Sequence, residues 1–152
     1  MQRHYPQAPI SAVAALVISE GRVLLILRRN PPSAGQWSVP GGVQELGEPV
    51  IEAVRREVRE ETGLEIADLR LLDVGDILLH DAEGRIEYHY VITYYLAHPA
   101  RGQLRAGDDV GDARWVALDE IAALELSPRL LELVSMAVSV DAKAMNSGPL
   151  CS

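Results

Sequence analysis

An α/β fold is the class that this sequence predicts, because strand-like and helix-like segments alternate along its 152 residues. Residues 11–18 and 22–27 are apolar runs joined by a turn that contains Gly21, a pattern typical of a β-hairpin. Residues 49–62 have the periodicity of an amphipathic helix, and residues 86–96 are rich in the β-branched and aromatic side chains that favour strands. A sheet with helices packed against it follows from this alternation.

Shorter segments complete the predicted order of elements. Three more strands are expected, at residues 37–39, 69–74 and 114–118. Turns or loops are expected at residues 28–35, 41–42, 44–47 and 81–84. A short helix follows at residues 119–124, and Ser127-Pro128 begins a last helix that ends near Val138. We expect residues 1–140 to form one domain and residues 141–152 to be a disordered tail.

The acidic composition limits the partners of the chain. Its 14 Lys and Arg against 22 Asp and Glu give a formal net charge of −8, which disfavours a nucleic-acid duplex or an anionic membrane as partner. The apolar runs are too short to span a bilayer, and residues 1–8 lack the apolar run of a signal peptide, so we expect a cytoplasmic protein. Cys151 is the only cysteine, so it forms no internal disulfide, and we assign it no role.

The helix at residues 49–62 has clear boundaries. Pro49 suits a first helical turn, and Glu48 beside it complements the positive end of the helix dipole. Gly63 supplies the left-handed residue that commonly ends a helix. Four aliphatic side chains form one stripe that we expect to pack on a core, namely Val50, Ile51, Val54 and Val58.

Three carboxylates share one face of this helix, because Glu57, Glu60 and Glu61 are spaced at i, i+3 and i+4. Like charges beside a core carry a desolvation cost that a divalent cation would offset, and oxygen ligands suit Mg²⁺ or Mn²⁺. The alternative is an ordinary charged helix stabilised by pairs such as Glu52 with Arg56, each contributing about 0.2–0.5 kcal/mol.

Residues 42–64 resemble the signature of the Nudix hydrolase family, G-x5-E-x7-R-E-U-x-E-E-x-G-U with U aliphatic, at every fixed position. Residues 35–42 before this segment and residues 113–121 after it look like the flanks usual in the family, so that the resemblance covers roughly residues 9–138. It implies a Nudix-type α/β/α sandwich in which a mixed β-sheet lies between helices.

The resemblance also implies roles for individual residues. The metal ligands would be the Gly41 carbonyl and the carboxylates of Glu57, Glu60 and Glu61. Arg56 would orient these glutamates through charge-assisted hydrogen bonds, and Glu48 would pair with it across the loop. Glycine at positions 41 and 42 lets the backbone turn tightly and approach the metal without a Cβ in the way.

The reaction implied is attack of water on a phosphorus atom of a diphosphate that links a nucleoside to another group. The base that takes the proton is either Glu57 or Glu60 on the helix, or a residue of the later loop at Asp108-Asp109, where Asp109 is the candidate. A solvated turn is the alternative for these two aspartates.

Substrate contacts are less defined by the sequence. Arg28 and Arg29 follow a strand that leads toward the signature and could bind phosphates, or they could be solvated. Trp37 and the tyrosines of residues 88–95 could stack on a base, although packing is expected for most of these tyrosines. Alternation puts Tyr88 and Tyr90 on one face of their strand with Tyr94, and Tyr95 on the other.

The overall pattern looks most like the ADP-ribose pyrophosphatase-like branch, which makes ADP-ribose the leading substrate, cleaved to AMP and ribose 5-phosphate. Residues 76–81 lack the proline found in many ADP-ribose hydrolases, so nucleoside triphosphates and dinucleoside polyphosphates are alternatives. A nucleotide-sensing module or a diphosphate isomerase is less favoured, because the carboxylates are intact and Cys151 lies in the tail. Many relatives are homodimers, which makes a homodimer an expectation by association alone.

Overall fold

The computed structural model describes residues 2–146 as strands packed between two helices. The elements are β1 (Ile10–Ser19), β2 (Arg22–Arg28), β3 (Trp37–Ser38), β4 (Gly41–Val43), α1 (Val50–Thr62), β5 (Leu64–His80), β6 (Ile86–Gly102), β7 (Val110–Ala117), a 3-10 helix (Ile121–Leu124) and α2 (Pro128–Asn146). No helix within residues 2–146 is long and apolar enough to cross a membrane.

The strands form one mixed sheet in the order β3-β2-β1-β6-β5, with β4 paired to β1 and β7 paired to β2. The β1–β6 pair is parallel, and the other pairs are antiparallel. β1 and β2 pair only beside their turn, at Ile18 with Val23 and Ser19 with Arg22. Beyond that point β4 pairs with β1 and β3 pairs with β2, so the two strands of the hairpin separate.

A helix covers each face of this sheet. Alternate residues of β1 belong to different cores, with Leu16 in the core that contains Leu133 of α2 and Val17 in the core that contains Val54 and Val58 of α1. The predicted α/β/α sandwich with a mixed sheet is therefore confirmed.

Several elements differ in extent from the prediction. Gly41 and Gly42 were expected in a turn, but they belong to β4. This strand pairs with the part of β1 that is not paired with β2. β5 begins at Leu64 rather than at residue 69, and β6 and β7 are likewise longer than expected. Register shifts within β5, such as the one between Ala67 and Arg70, interrupt the alternation on which the prediction depends.

The last helix also continues beyond the predicted end at Val138. It reaches Asn146, so the disorder expected from residue 141 does not hold for residues 141–146, and residues 147–152 lie outside the described residues. A tertiary contact supports the extension, because the Asp141 carboxylate lies 2.6 Å from Nε2 of His98 in β6. Local composition gives no sign of such a contact.

Candidate active site

Helix α1 begins and ends as its sequence predicts, to within one residue. Pro49 is extended, with φ −62° and ψ 150°, and immediately precedes the helix. Gly63 is left-handed, with φ 76°, and its N–H donates to the Arg59 carbonyl. A Cβ at Gly63 would lie 2.6 Å from the Gln103 carbonyl oxygen, so both backbone conformation and space require glycine there.

Arg56 connects the helix to the loop before it. Its guanidinium donates to both carboxylate oxygens of Glu48, at 2.7 and 3.0 Å, and to the Val43 carbonyl at 3.1 Å. It also donates to Glu57 at 2.8 Å and to Glu60 at 3.2 Å. The hydrogen bonds from Arg56 hold the pKa of the Glu48 carboxyl below its usual value. This geometry is the one expected of an arginine that orients neighbouring glutamates.

Glu61 reaches from the helix to β4. Its Oε1 accepts a hydrogen bond of 2.8 Å from the Gly41 N–H. Burial raises the pKa of the Glu61 carboxyl to about 8, and the nearby charge of Glu57 adds to the rise. The Gly41 hydrogen bond and the positive charge of Arg28 oppose it. A carboxylate in this position would be stabilised by a cation.

Glu57 lies against Gly42, the next residue of β4. A Cβ at Gly42 would lie 2.5 Å from the carboxylate carbon of Glu57, and one at Gly41 would collide with the Val13 carbonyl. Burial raises the pKa of the Glu57 carboxyl, Arg56 opposes the rise, and the charge of Glu60 adds to it. Gly42 therefore leaves the space that the Glu57 carboxylate occupies, and Gly41 allows β4 to approach the backbone of β1 closely.

Glu60 differs from these two carboxylates. Its side chain is 57% exposed, whereas that of Glu57 is 15% exposed. Within residues 2–146, no group of three or more His, Cys, Asp or Glu side chains is arranged so that it could hold a metal ion without other ligands. Two partly buried carboxylates beside a backbone strand nevertheless fit Mg²⁺ or Mn²⁺, because such ions commonly bind through a few carboxylates, substrate phosphate oxygens and waters.

The loop at residues 103–109 closes the carboxyl end of α1. The Arg105 N–H donates to the Thr62 carbonyl at 2.8 Å, and the Gly107 N–H donates to the Glu61 carbonyl at 3.0 Å. These bonds satisfy carbonyl groups that a helix end leaves without partners. The loop and the helix end border an open cavity of about 490 Å³, which is lined by Arg59, Glu60, Gly63, Arg105, Ala106, Gly107 and Asp108. Asp108 thus shares a cavity with Glu60, whereas the exposed Asp109 is not part of its lining.

Arg28 and Arg29, the two arginines suggested for phosphate binding, donate hydrogen bonds to backbone carbonyls of loops. Arg28 donates to the Pro32 carbonyl at 2.9 Å, and it is close enough to Glu61 to lower the pKa of that carboxyl against the effect of burial. Arg29 donates to the Asp108 carbonyl at 2.8 Å. Both therefore lie beside the glutamates or the loop that closes the helix, and both keep further donors for a ligand.

Trp37 lies elsewhere. The Arg114 guanidinium is 4.9 Å from the centroid of its ring, and both residues line a second cavity of about 310 Å³ that contains none of the glutamates of α1. Trp37 also packs against the core on the α2 side of the sheet. The structure does not bring it together with the carboxylates in the way that it does Arg28.

Sequence reasoning missed Arg3. Its charge acts on the Glu57 carboxyl, where it opposes the increase in pKa caused by burial. Fifty-four positions separate the two residues, and no motif in residues 1–8 indicates that they meet. Only the tertiary fold reveals this proximity.

The fold and the carboxylate site together define an α/β/α sandwich with partly buried glutamates beside a strand of its sheet. The NUDIX domain family matches residues 8–135. The chain belongs to the Nudix family, and the pyrophosphatases among its relatives indicate a Nudix pyrophosphohydrolase.

Two relatives and one solved structure illustrate which members of this family the chain is similar to. An ADP-ribose pyrophosphatase of Methanocaldococcus jannaschii is 36% identical over 116 residues, which cover 76% of this chain and 66% of that protein. The nucleoside triphosphatase NudI of Salmonella agona is 36% identical over 125 residues, covering 76% of this chain and 86% of that protein. The crystal structure of a MutT NUDIX hydrolase from Burkholderia pseudomallei has a TM-score of 0.74 at 34% identity, and the match covers 86% of this chain and 98% of that one.

Proposed function

We propose that the protein hydrolyses a phosphoanhydride bond in a nucleoside diphosphate linked to another group, with ADP-ribose as substrate and AMP and ribose 5-phosphate as products. The observation that carries the proposal is the convergence of Glu57 and Glu61 on Gly41 and Gly42 of β4. The similarity to an archaeal ADP-ribose pyrophosphatase supports this choice of substrate.

Glu57 and Glu61, together with the Gly41 carbonyl, would hold Mg²⁺ or Mn²⁺, with Glu60 as a further ligand. A cation bound there would neutralise phosphate charge and lower the pKa of a bound water. Arg56 keeps Glu57 and Glu60 oriented, and Glu48 in turn fixes Arg56. Arg28 and Arg29 would donate hydrogen bonds to phosphate oxygens. Trp37 lies in a separate cavity, so it would contact only a part of the substrate that extends beyond the glutamates.

Glu60 is the residue that we propose as proton acceptor. Water attacks one phosphorus atom, the anhydride oxygen leaves with the bonding electrons on the other phosphate, and the proton of the water passes to a carboxylate. Exposure and the cavity shared with Asp108 support Glu60 over the more buried Glu57, which suits a ligand role. Asp109, in the same loop, is the alternative acceptor.

The test is release of products from ADP-ribose, NADH, diadenosine polyphosphates and nucleoside triphosphates, with Mg²⁺, with Mn²⁺ and with chelator. We expect chelator-sensitive cleavage of ADP-ribose above the others. Glu57→Gln and Glu61→Gln should each lower turnover at least about 100-fold in folded protein. Unchanged activity of both variants would contradict the site.

Nucleoside triphosphates are the second candidate, because the Salmonella relative is a nucleoside triphosphatase that the match covers to 86%. Preferential cleavage of a triphosphate in the same panel would select this alternative. Binding of nucleotides without cleavage of any compound would instead favour a sensing module.

We also propose that the protein is a homodimer formed through the edge strand β5. Apolar side chains of this strand are exposed, including Leu71 at 65% and Val74 at 52%, and an edge strand offers unpaired backbone groups to a second copy. Light scattering after gel filtration tests this, with Leu71→Lys expected to give a monomer. The cytoplasmic location stays a prediction from the sequence.

A further inference from the structure

The loop at residues 44–48 joins β4 to α1 and brings Glu48 to Arg56. The Glu48 carboxylate accepts hydrogen bonds from Nε of Arg56 at 2.7 Å and from the Glu45 N–H at 3.1 Å. Its backbone N–H donates to the Glu45 carbonyl at 3.0 Å. Its backbone carbonyl accepts a hydrogen bond of 2.6 Å from the Gln44 side chain. The position of Glu48 therefore depends on Gln44 as well as on Arg56.

Gln44 is itself anchored to β1 at two points. Its N–H donates to the Ser11 carbonyl at 3.1 Å, which continues the pairing of β4 with β1 by one residue beyond Val43 and Ala12. The Ser11 hydroxyl donates to Oε1 of Gln44 at 2.7 Å. Backbone and side chain of Gln44 are thus both fixed to the sheet.

These partners define one orientation of the Gln44 amide. A carbonyl oxygen can only accept a hydrogen bond, so the side chain must present its NH2 group to the Glu48 carbonyl. Its oxygen then faces Ser11, whose hydroxyl must donate. The regular hydrogen bonds of α1 begin with the Pro49 carbonyl, which accepts from the Ala53 N–H at 3.0 Å. Gln44 supplies a donor to the carbonyl just before it.

The contacts of this loop close into a ring. Arg56, which binds the Glu48 carboxylate, also donates from Nη2 to the carbonyl of Val43, and Val43 directly precedes Gln44. The side chains of Glu48 and Arg56 are only 15% and 18% exposed. The same guanidinium donates from Nη1 to Glu57 at 2.8 Å. A displacement of the loop would therefore move the group that orients this glutamate.

We propose that Gln44, oriented by Ser11, is a positioning residue for the metal site. It fixes Glu48, Glu48 fixes the Arg56 guanidinium, and Arg56 orients Glu57. Outer contacts of this kind commonly change metal affinity by about 10- to 100-fold. The inference rests on the proposed hydrolase function and adds two residues that need touch neither metal nor substrate.

Gln44→Glu tests this role, because it keeps the shape of the side chain and an acceptor for Ser11 but replaces the donor to the Glu48 carbonyl with an oxygen. In the metal-free full chain, exchange of the Arg56 Nε proton with water, followed by NMR, should become about 10-fold faster. Gln36→Glu, the same change at an exposed glutamine, is the matched control. Equal exchange rates in the wild type and Gln44→Glu would overturn the proposal.

Binding of Mn²⁺ to the full chain without substrate, measured by electron paramagnetic resonance, is the second readout. We expect Gln44→Glu to weaken it about 10-fold or more. The added negative charge alone would strengthen cation binding, so the sign of the change separates positioning from charge. Ser11→Ala should also weaken binding, and Ser11→Thr, which keeps the hydroxyl, should restore it. Wild-type affinity in Gln44→Glu would contradict the proposal.

The outcomes separate this role from general stability and from the hydrolase proposal. A lower unfolding temperature of Gln44→Glu, with exchange at Arg56 and Mn²⁺ affinity unchanged, would reduce Gln44 to a structural role and leave the hydrolase proposal intact. If Gln44→Glu fails to fold, Ser11→Ala carries both measurements. If the wild type cleaves no compound, the hydrolase proposal is overturned. Faster exchange at Arg56, which needs no metal, would then support the positioning role alone.

Discussion

Gly42 and Glu57 face each other with no space for one additional carbon atom between them, since an added Cβ would lie 2.5 Å from the Glu57 carboxylate. Gly42→Ala should therefore displace this carboxylate and lower turnover about 100-fold, because a shift of about 1 Å at a reacting site has effects of that size. Steady-state kinetics of the folded variant check this. Gly75→Ala is the control, since its new Cβ would meet only the flexible end of Arg129. Equal activity of both variants would show that Glu57 can move without loss.

Replacement of Arg56 by lysine keeps the charge and removes the fork that binds Glu48 through two hydrogen bonds. We expect Arg56→Lys to require about 10-fold or more Mg²⁺ for half-maximal activity, because residues that orient metal ligands commonly contribute that much. The measurement is activity against Mg²⁺ concentration. Arg55→Lys, which alters a neighbouring arginine bound to the Ile66 carbonyl, is the matched control. The same Mg²⁺ dependence in both variants would contradict an orienting role.

Glu61 should oppose folding when no cation is present, because its carboxylate is partly buried beside Glu57. In chelator, we expect Glu61→Gln to unfold at a temperature equal to or above that of the wild type, since Gln keeps the acceptor for Gly41 and removes the charge. Mg²⁺ should raise the unfolding temperature of the wild type and leave that of the variant nearly unchanged. Thermal unfolding by circular dichroism tests both statements. A variant that is destabilised and still responds to Mg²⁺ would argue against a metal at Glu61.

His98 should make stability depend on pH. Hydrogen bonds with Asp68 and Asp141 raise the pKa of His98 above its ordinary 6.5. A raised folded-state pKa means that the bridge contributes fully below pH 6.5 and that its contribution disappears as pH rises through the folded value. Urea unfolding of wild type and His98→Gln should thus differ more at about pH 5.5 than at about pH 8.5. His80→Gln at an exposed position is the control, and a difference that grows with pH would reverse the predicted sign.

The sequence specified α1 and its carboxylates almost completely. Spacing alone placed Glu57, Glu60 and Glu61 on one face, and Gly63 ended the helix as expected, because both properties are local. The separate behaviour of Glu60 could not be foreseen. Its exposure depends on how α1 sits over β4 and under the loop at residues 103–109, which are relationships between distant segments.

Long-range pairing explains what the sequence did not reveal. Gly41 and Gly42 have no intrinsic preference for a strand, and they form one because β1 has an edge that β2 does not use. The first residues of the chain are likewise held by a distant segment, because the Tyr5 N–H donates to the Glu87 carbonyl in β6. The length of α2 depends partly on a histidine in another element.

The loop at residues 103–109 cannot move independently of α1, because the amides of Arg105 and Gly107 are bonded to the last carbonyls of the helix. Any excursion that carries Asp108 away from Glu60 would therefore begin to fray the helix that bears the carboxylates. Hydrogen exchange at these two amides would then report how often the loop separates from the end of the helix. A ligand that binds both segments would slow this exchange without contacting either amide.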